Sequence, residues 1–389
     1  MSRLSLRQGR TWPSENVLTV RRALLAALFA AFAACHAAIA AAGEPQIMSV
    51  RFESRALSGF LGHAAYMYAT VLLPDSYYAQ AHRRYPVIYV IPAFDGPFTI
   101  DEQTELSWQR PMRALGTQFI IVVLDGMVQF RNEAIHQEFV DSPNDGPWGT
   151  ALTNEFIPAT DAHFRTIDSP NARFLFGHSS GAWSALWLQV TYPQLFNGAW
   201  AVSPDPVDFH DFVGPDLTKA PAQNFYVDAA GAPYMISRVR GHDTMTLRDM
   251  VRREDWARRQ MDTYDDVFSP RSASGSPERL FNRKTGAIDA DVARYWEEHF
   301  DITHLLVEHW AQLGPELGGK LHIFVGTDDT FHLEEAVRLM QAATTPLGSD
   351  AEFVFAPGDD HWQIFGWNGG VQDYAMREMI QRVSAMPPR

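Results

Sequence analysis

The chain has 389 residues, which is long enough for one large domain or two ordinary ones. Hydrophobic residues make up 46% of it and 11 tryptophans are present, which indicates a packed globular protein and excludes a disordered chain. The formal net charge of −14 at pH 7, without a basic patch, argues against nucleic acid or an anionic membrane surface as a partner.

The amino-terminal segment has the composition of a targeting sequence. Arg21 and Arg22 precede an alanine-rich apolar run at 23–34, and three alanines follow at 40–42. A positive start, a short apolar centre and small residues at the end are typical of a secretory signal peptide. The run is too short and too rich in alanine to make a good membrane span. We therefore predict a signal peptide over residues 1–43 and a secreted or periplasmic protein.

Cys35 is the only cysteine, and it lies inside this segment. The remaining chain therefore has no disulfide, no cysteine nucleophile and no thiolate metal site. The sequence around Cys35 also loosely resembles a bacterial lipoprotein signal, so a lipid anchor at this residue is the minor alternative to ordinary cleavage. We expect the remaining chain to need no cofactor and no metal.

Short apolar runs typical of strands recur along the chain, at 48–55, 65–73, 87–91, 119–124, 172–176, 198–202, 320–325 and 351–355. Helical patterns lie between several of them, at 151–164, 182–189 and 371–383. The first two strands are expected to form an antiparallel pair. The later alternation of strands and helices predicts a single α/β domain over 44–389, with a mostly parallel central sheet and helices on both faces.

One long stretch, 204–319, interrupts this alternation. It is rich in charge and is expected to be mainly helical, with the clearest helices at 244–265 and 288–299. Two interpretations stay open. The stretch is either a solvated insertion at the edge of the sheet or a lid over a site, because loops at the carboxyl ends of strands build the sites of such sheets.

The pattern Gly177-His178-Ser179-Ser180-Gly181 follows one of the predicted strands and precedes a predicted helix. A serine flanked by glycines at this spacing is typical of a nucleophile elbow, a turn so tight that side chains at the glycine positions would collide with nearby backbone. The pattern predicts an α/β-hydrolase fold with Ser179 as the nucleophile.

A serine nucleophile needs a base, and the base needs a group that holds its tautomer. In this fold the chain order is serine, acid, histidine. The strand at 320–325 leads to Asp329, and the next strand leads to His361. We predict His361 as the general base and Asp329 as its acid, with Asp328 as the alternative acid. Other nearby His and Asp side chains are expected to have packing, turn or capping roles: Asp125, His178, His322, His332, Asp359 and Asp360.

The oxyanion of an acyl-transfer reaction needs two preorganised backbone N–H donors. One is expected from Ser180, the residue after the nucleophile. The other is expected from the loop 92–96 after the first parallel strand, with Phe94 preferred and Ala93 as the alternative.

Several segments together resemble the esterase branch of the α/β-hydrolase superfamily, which includes esterase D, enterochelin esterase, feruloyl esterases and mycolyltransferases. They are 85–91, the helix ahead of Arg173, Ser180-Gly181, 326–331 and 358–362. Aligning the Gly-x-x-Asp of esterase D onto Gly326 reaches Asp329. Two features depart from the family: Pro92-Ala93 stands where members usually carry His-Gly, and the insertion before Asp329 is longer than usual.

The sequence therefore predicts a secreted or periplasmic serine hydrolase that cleaves small-molecule or glycan carboxylic esters through an acyl-enzyme. An acyltransferase that passes the acyl group to an alcohol or sugar is one alternative, and a non-catalytic binding module on the same fold is another. Trp183 and Trp362 lie near the predicted site, where we expect interior packing for each, with the lining of a substrate pocket as the alternative.

Overall fold

The computed structural model describes the following parts of the chain: 46–130, 133–221, 223–253 and 256–384. The predicted signal peptide over 1–43, with Cys35, lies outside them.

Fourteen strands are present in these parts: β1 (Ile47–Ser54), β2 (Ala65–Leu72), β3 (Val87–Ile91), β4 (Ile120–Leu124), β5 (Met127–Phe130), β6 (Glu133–His136), β7 (Asp141–Ser142), β8 (Gly146–Pro147), β9 (Arg173–His178), β10 (Ala199–Val202), β11 (Met235–Val239), β12 (His242–Thr246), β13 (Leu321–Gly326) and β14 (Glu352–Ala356).

The α-helices of the same parts are α1 (Arg55–Leu61), α2 (Glu102–Ala114), α3 (Trp148–Ala151), α4 (Ile157–His163), α5 (Ser180–Thr191), α6 (Leu247–Arg252), α7 (Trp256–Phe268), α8 (Ala290–Phe300), α9 (Ile302–Leu317), α10 (Glu334–Thr344) and α11 (Val371–Ser384). A π-helical turn, Leu152–Phe156, joins α3 to α4. None of the helices in the described part of the chain has the length and apolar character needed to cross a bilayer.

Eight strands form the central sheet, in the order β1-β2-β4-β3-β9-β10-β13-β14. Strand β2 pairs antiparallel with β1 and β4. All the other neighbours in the sheet are parallel. The predicted α/β class, with a mostly parallel sheet opened by an antiparallel pair, is confirmed.

Alternate residues of the central strands enter two separate cores. Val87 and Tyr89 of β3 belong to the core that includes side chains of α5. Ile88 belongs to the core on the opposite face, which includes Trp108 of α2 and Met376 of α11. Because both faces are covered, the strands read as continuous apolar runs, and this explains why they could be located from the sequence.

The long insertion begins irregularly and then forms the β11–β12 hairpin and helices α6 to α9. The expected single helix over 244–265 is wrong, because residues 244–246 complete β12 and two helices follow. Thr246 ends the strand and caps α6, since its Oγ1 accepts a 3.0 Å hydrogen bond from the N–H of Asp249. The expected helix over 288–299 is present as α8.

The interior of the insertion is aromatic. Phe268 and Trp296 pack edge to face at 5.4 Å, and Phe212 lies 5.8 Å from Trp296. Phe268 also lies 4.9 Å from Trp183 of α5. The insertion therefore shares the core on the α5 face of the sheet.

Candidate active site

Ser179 lies in a strained turn between β9 and α5, with φ 56° and ψ −126°. A positive φ is unfavourable for a serine, and such strain recurs at functional sites. Hydrogen bonds hold the turn: the Ser179 N–H donates to the Val202 carbonyl at 3.0 Å, and the Ala182 N–H donates to the Ser179 carbonyl at 2.8 Å. The turn presents the serine at the carboxyl edge of the sheet.

The two glycines of the elbow are required by close backbone contacts. A Cβ atom on Gly177 would lie 2.0 Å from the Gly181 carbonyl oxygen, and one on Gly181 would lie 2.1 Å from the carbonyl oxygen of Ile91. Both distances are far below van der Waals contact, so the spacing of the glycines follows directly from the crossing of β3, β9 and α5.

Asp329 and His361 meet at the ends of β13 and β14, which are parallel neighbours. Asp329 Oδ2 lies 2.9 Å from His361 Nδ1, and both side chains are buried. Burial favours the neutral acid, but the hydrogen bond and charge of His361, together with the Phe331 N–H, hold the pKa of the Asp329 carboxyl below its usual range. The pair therefore has the geometry of a histidine base oriented by an ionised acid.

The alternative acid, Asp328, forms an ion pair with a side chain of the insertion. Its Oδ1 lies 3.1 Å from Nε of Arg238, a residue of β11 in the insertion. The same Nε donates a 2.8 Å hydrogen bond to the main-chain carbonyl of Asp329. Arg238 also contacts the carboxylate of Glu334 in α10. The insertion thus holds the loop that carries Asp329.

The hydroxyl of Ser179 forms a hydrogen bond with Asp205. Ser179 Oγ donates to Asp205 Oδ1 at 3.2 Å, while Oδ2 accepts from Ser180 Oγ at 2.6 Å and from the Tyr264 hydroxyl at 2.5 Å. Ser179 and His361 both line one cavity. In this arrangement the Ser179 hydroxyl donates to Asp205 rather than to His361.

The sequence did not identify Asp205 or Tyr264 as residues of the candidate site. Asp205 follows β10 after two residues, and its position at the carboxyl end of a parallel strand is a signal that points to a site residue. Tyr264 belongs to α7 of the insertion, and no local pattern indicates that it reaches a residue 59 positions away.

The loop after β3 holds the predicted oxyanion donors. Ala93 and Phe94 both line the cavity beside Ser179. The Gly96 N–H donates to the Ala93 carbonyl at 2.8 Å, and Asp95 has φ 56°, so the loop makes a tight turn. Ser180 lies at the first position of α5, where main-chain N–H groups lack partners within the helix.

A buried His-Glu pair lies beneath this loop. His136 Nδ1 is 3.0 Å from Glu138 Oε1, and Glu138 accepts a 2.6 Å hydrogen bond from Ser184 Oγ of α5. Burial opposes the charge on either partner, yet Glu138 raises the pKa of the His136 ring above its usual value. The pair links the loop after β3 to α5, since His136 interacts with the main chain of Pro92 and Glu138 with Ser184, and the sequence did not indicate it.

Several polar residues that were expected to have structural roles do so. Burial and the neighbouring His361 lower the pKa of His178 to about 3, so its ring is a neutral packing group at 4.5 Å from that of His361. Asp125 accepts from the Met127 N–H, and Asp360 accepts from the N–H of Trp362. His322 stacks on Trp200 at 4.4 Å.

The cavity above Ser179 has a volume of about 300 Å³ and is largely lined by apolar side chains. Many of these come from the insertion, including Val213, Ile236, Met245 and Met261. A pocket of this kind suits a small organic acyl or alcohol group.

The two tryptophans near the site differ in exposure. Trp183 is buried against Trp187 and Phe268, as expected. The expectation of interior packing is wrong for Trp362, which is 59% exposed and contributes to the cavity wall. Its loop at the carboxyl end of β14 lies outside both cores, which explains the exposure.

Two groups of described residues bring three possible metal ligands within 4.8 Å of one another: Asp208, His210 and Asp301, and His322, Glu352 and Glu378. Neither group lines the cavity above Ser179. Their side chains already hydrogen-bond within the protein, for example His322 Nδ1 with Glu352 Oε2 at 2.8 Å.

Solved structures share the fold at low sequence identity. A ferulic acid esterase matches with a TM-score of 0.52 and 14% identity, covering 85% of this chain and 95% of its own. An S-formylglutathione hydrolase from Agrobacterium tumefaciens matches with a TM-score of 0.52 and 15% identity, covering 87% and 97%. No curated protein matches the sequence.

The sequence profile of one family, described as "Putative esterase", matches residues 64–293. The matched range includes Phe94, Ser179 and Asp205, and it ends ahead of Asp329 and His361. Since it covers more than half of the 389 residues, the chain belongs to this esterase family.

Proposed function

We propose that the protein is a serine hydrolase that cleaves carboxylic esters through an acyl-enzyme formed on Ser179. The observation that carries this proposal is the buried 2.9 Å contact between Asp329 and His361 at the wall of the cavity that Ser179 also lines. Family membership supports the esterase chemistry. The strained elbow supports Ser179 as the reacting group.

In the proposed reaction, Ser179 Oγ attacks the ester carbonyl carbon while His361 Nε2 accepts the hydroxyl proton. The tetrahedral intermediate collapses, the bond to the alcohol oxygen breaks, and His361 returns the proton to the leaving alcohol. A water molecule then attacks the acyl-enzyme in the same manner, giving the acid and free Ser179. Asp329 stays ionised throughout: it accepts a hydrogen bond from the Nδ1–H of His361 and stabilises the imidazolium form of that residue.

The negative charge on the carbonyl oxygen needs donors that are already in place. We assign this role to the main-chain N–H groups of Ser180 and Phe94, with Ala93 as the alternative to Phe94. The start of α5 supports the first assignment, because the amino end of a helix favours negative charge. The turn after β3 supports the second, since both of its candidates line the cavity.

Hydrolysis of a p-nitrophenyl ester series of increasing acyl length tests this proposal. We expect Ser179→Ala to abolish turnover, whereas Ser274→Ala, at an exposed serine outside the cavity, keeps the wild-type rate. Wild-type turnover in the Ser179→Ala variant would overturn the assignment. Added glycerol separates hydrolysis from transfer: a dominant glycerol ester product would assign acyl transfer, and the free acid assigns hydrolysis.

We also propose that the amino-terminal residues 1–43 direct export. The arginines followed by a short apolar run support this assignment. Expression of the full chain in a bacterial host followed by amino-terminal sequencing tests it, and a start near Glu44 in the periplasmic fraction is expected. Retention of the whole chain in the cytoplasm would contradict it, and lipid labelling lost in Cys35→Ser would instead assign the lipoprotein alternative.

A further inference from the structure

Asp205 is a buried acid in the wall of the cavity, next to the serine that we propose as the nucleophile. It is 6% exposed, and its Oδ1 lies 3.2 Å from Ser179 Oγ. In the part of the chain that the structure describes, no Lys, Arg or His side chain forms an ion pair with it.

The surroundings of Asp205 hold its carboxylate in place. Oδ2 accepts from the hydroxyls of Ser180 and Tyr264, and the Asp205 N–H donates to the Ser179 carbonyl at 3.4 Å. Burial and the charge of Asp205 keep the pKa of the Tyr264 phenol well above its usual value, so the phenol stays a donor. Neither of these two hydroxyl groups takes part in the proposed reaction. Oδ2 therefore keeps both hydrogen bonds during catalysis.

The position of Oδ1 is different, because its hydrogen-bond donor is Ser179. When the serine turns to give its proton to His361, Oδ1 loses that donor while it remains buried. A buried carboxylate oxygen without a donor is unfavourable, and a negative charge beside the site of the developing oxyanion is also unfavourable. A substrate with a cationic N–H group near its carbonyl relieves both effects.

The distances suit such a group on the acyl side. In a near-attack arrangement the carbonyl carbon lies about 3 Å from the nucleophilic oxygen. Asp205 Oδ1 lies 3.2 Å from Ser179 Oγ before the serine turns, so it borders the space that a substituent on the next carbon of the acyl chain enters. The apolar wall of the insertion, with Val213 and Ile236, leaves room for a short side chain.

We propose that Asp205 is an ammonium subsite and that the preferred substrates are esters of α-amino acids with apolar side chains. This inference rests on the proposed ester hydrolysis at Ser179. Asp205 binds the α-ammonium group as Ser179 releases its hydrogen bond, so substrate binding and the turn of the serine towards His361 favour each other.

Three benzyl esters with the same chain length and leaving group test the subsite: 2-aminobutyrate, 2-hydroxybutyrate and butyrate. Each kcat/KM is divided by the hydroxide rate constant of the same ester, which removes differences in intrinsic reactivity. The assay is run at about pH 7, below the usual α-amino pKa of about 7.7–8.0. We expect the amino ester to exceed the butyrate by at least about tenfold, equivalent to about 1.4 kcal/mol, with the hydroxy ester between them.

Asp205→Asn keeps the shape of the side chain and removes its charge. We therefore expect the ratio of the normalised kcat/KM of the amino ester to that of the butyrate to fall close to one in this variant. Asp208→Asn removes a buried carboxylate of the same loop outside the cavity, and we expect it to keep the wild-type ratio. Equal rates for amino ester and butyrate, a hydroxy ester as good as the amino ester, or an unchanged ratio in Asp205→Asn would each overturn the subsite.

The wild-type ranking needs no variant, so it decides the question even where Asp205→Asn fails to fold. The results also distinguish a failure of the ammonium subsite from a failure of the serine hydrolase proposal. Hydrolysis of the butyrate without preference for the amino ester contradicts the subsite and leaves the serine hydrolase proposal standing. A folded wild-type protein that hydrolyses none of the three esters contradicts both.

Discussion

Arg238 of the insertion donates a 2.8 Å hydrogen bond from Nε to the main-chain carbonyl of Asp329, the residue whose carboxylate contacts His361. The main-chain N–H of Arg238 also donates a hydrogen bond to the main-chain carbonyl of Thr330 at 2.8 Å. The β11–β12 hairpin is therefore attached to the loop that carries the proposed acid. Any movement of the insertion as a lid has to leave this hairpin in place or displace the acid with it.

Arg238→Lys removes the planar fork that contacts the acid loop while keeping the charge. We expect kcat to fall by about tenfold with little change in KM, because a misplaced acid weakens the base in the transition state rather than substrate binding. Steady-state kinetics on a p-nitrophenyl ester measure this. Arg240→Lys, at the exposed turn of the same hairpin, is the matched control and is expected to keep the wild-type kcat. Equal effects of both substitutions would count against a positioning role for Arg238.

Asp329→Asn and Asp328→Asn separate the two candidate acids. The first removes the charge that, in the proposed reaction, stabilises the imidazolium of His361, and we expect a loss in kcat of about 10³- to 10⁴-fold. The second removes a half-buried partner of Arg238, and we expect a loss of no more than about tenfold. The kcat values of the two variants measure the difference. The reverse order would assign the role of acid to Asp328.

The elbow glycines give a prediction for stability. Gly181→Ala places a Cβ 2.1 Å from the Ile91 carbonyl oxygen, and we expect a loss in the free energy of unfolding of about 3 kcal/mol. Gly59→Ala in α1 places its Cβ in open space, and we expect it to be neutral or to stabilise by up to about 1 kcal/mol. Urea denaturation of the two variants compares them. A Gly181→Ala protein as stable as the wild type would contradict the close approach of α5 to the Ile91 carbonyl at the end of β3.

The strand pattern explains why much of the fold was predictable. Residues 120–124 and all of 87–91 except the partly buried Val90 are buried, so their apolar runs reveal the strands without knowledge of what covers them. The spacing of Gly177 and Gly181 is similarly local, because the turn itself excludes side chains. Asp329 and His361 follow from chain order and strand ends.

Contacts that cross the fold were not predictable. The hydrogen bond from Ser179 to Asp205 depends on a rotamer and on the path of the chain after β10. The start of the expected helix at 244 was wrong because pairing with β11 holds residues 244–246 as strand, and that partner lies in the same irregular insertion. Propensity gives way to tertiary pairing in such a segment.

The buried carboxyl of Asp301 is expected to make the free energy of unfolding depend on pH. Burial and the nearby charge of Asp208 raise the pKa of its carboxyl to about 7, whereas the unfolded chain has an Asp pKa of about 3.9. The folded state holds the proton more tightly, so this contribution to stability is present below about pH 4 and is lost as the pH rises to about 7. The loss is on the order of 4 kcal/mol at most.

Urea denaturation at about pH 5 and about pH 8 measures the effect. Asp208→Asn removes one cause of the raised pKa, and we therefore expect its free energy of unfolding to fall less than that of the wild type between the two values. Asp228→Asn, on a turn where the carboxylate accepts from the N–H groups of Ala230 and Ala232, is the control and is expected to follow the wild type. Identical falls in Asp208→Asn and the wild type would show that Asp208 does not act on Asp301.

The central claim is that Ser179 is the nucleophile, and covalent labelling tests it most directly. A fluorophosphonate probe is added to the folded protein, and the adduct is located by mass spectrometry of the intact chain and of its peptides. The account predicts one adduct per chain, on the peptide that contains Ser179, with esterase activity lost in proportion to labelling. An active enzyme that stays unlabelled, or an adduct on another residue with Ser179 free, would contradict it.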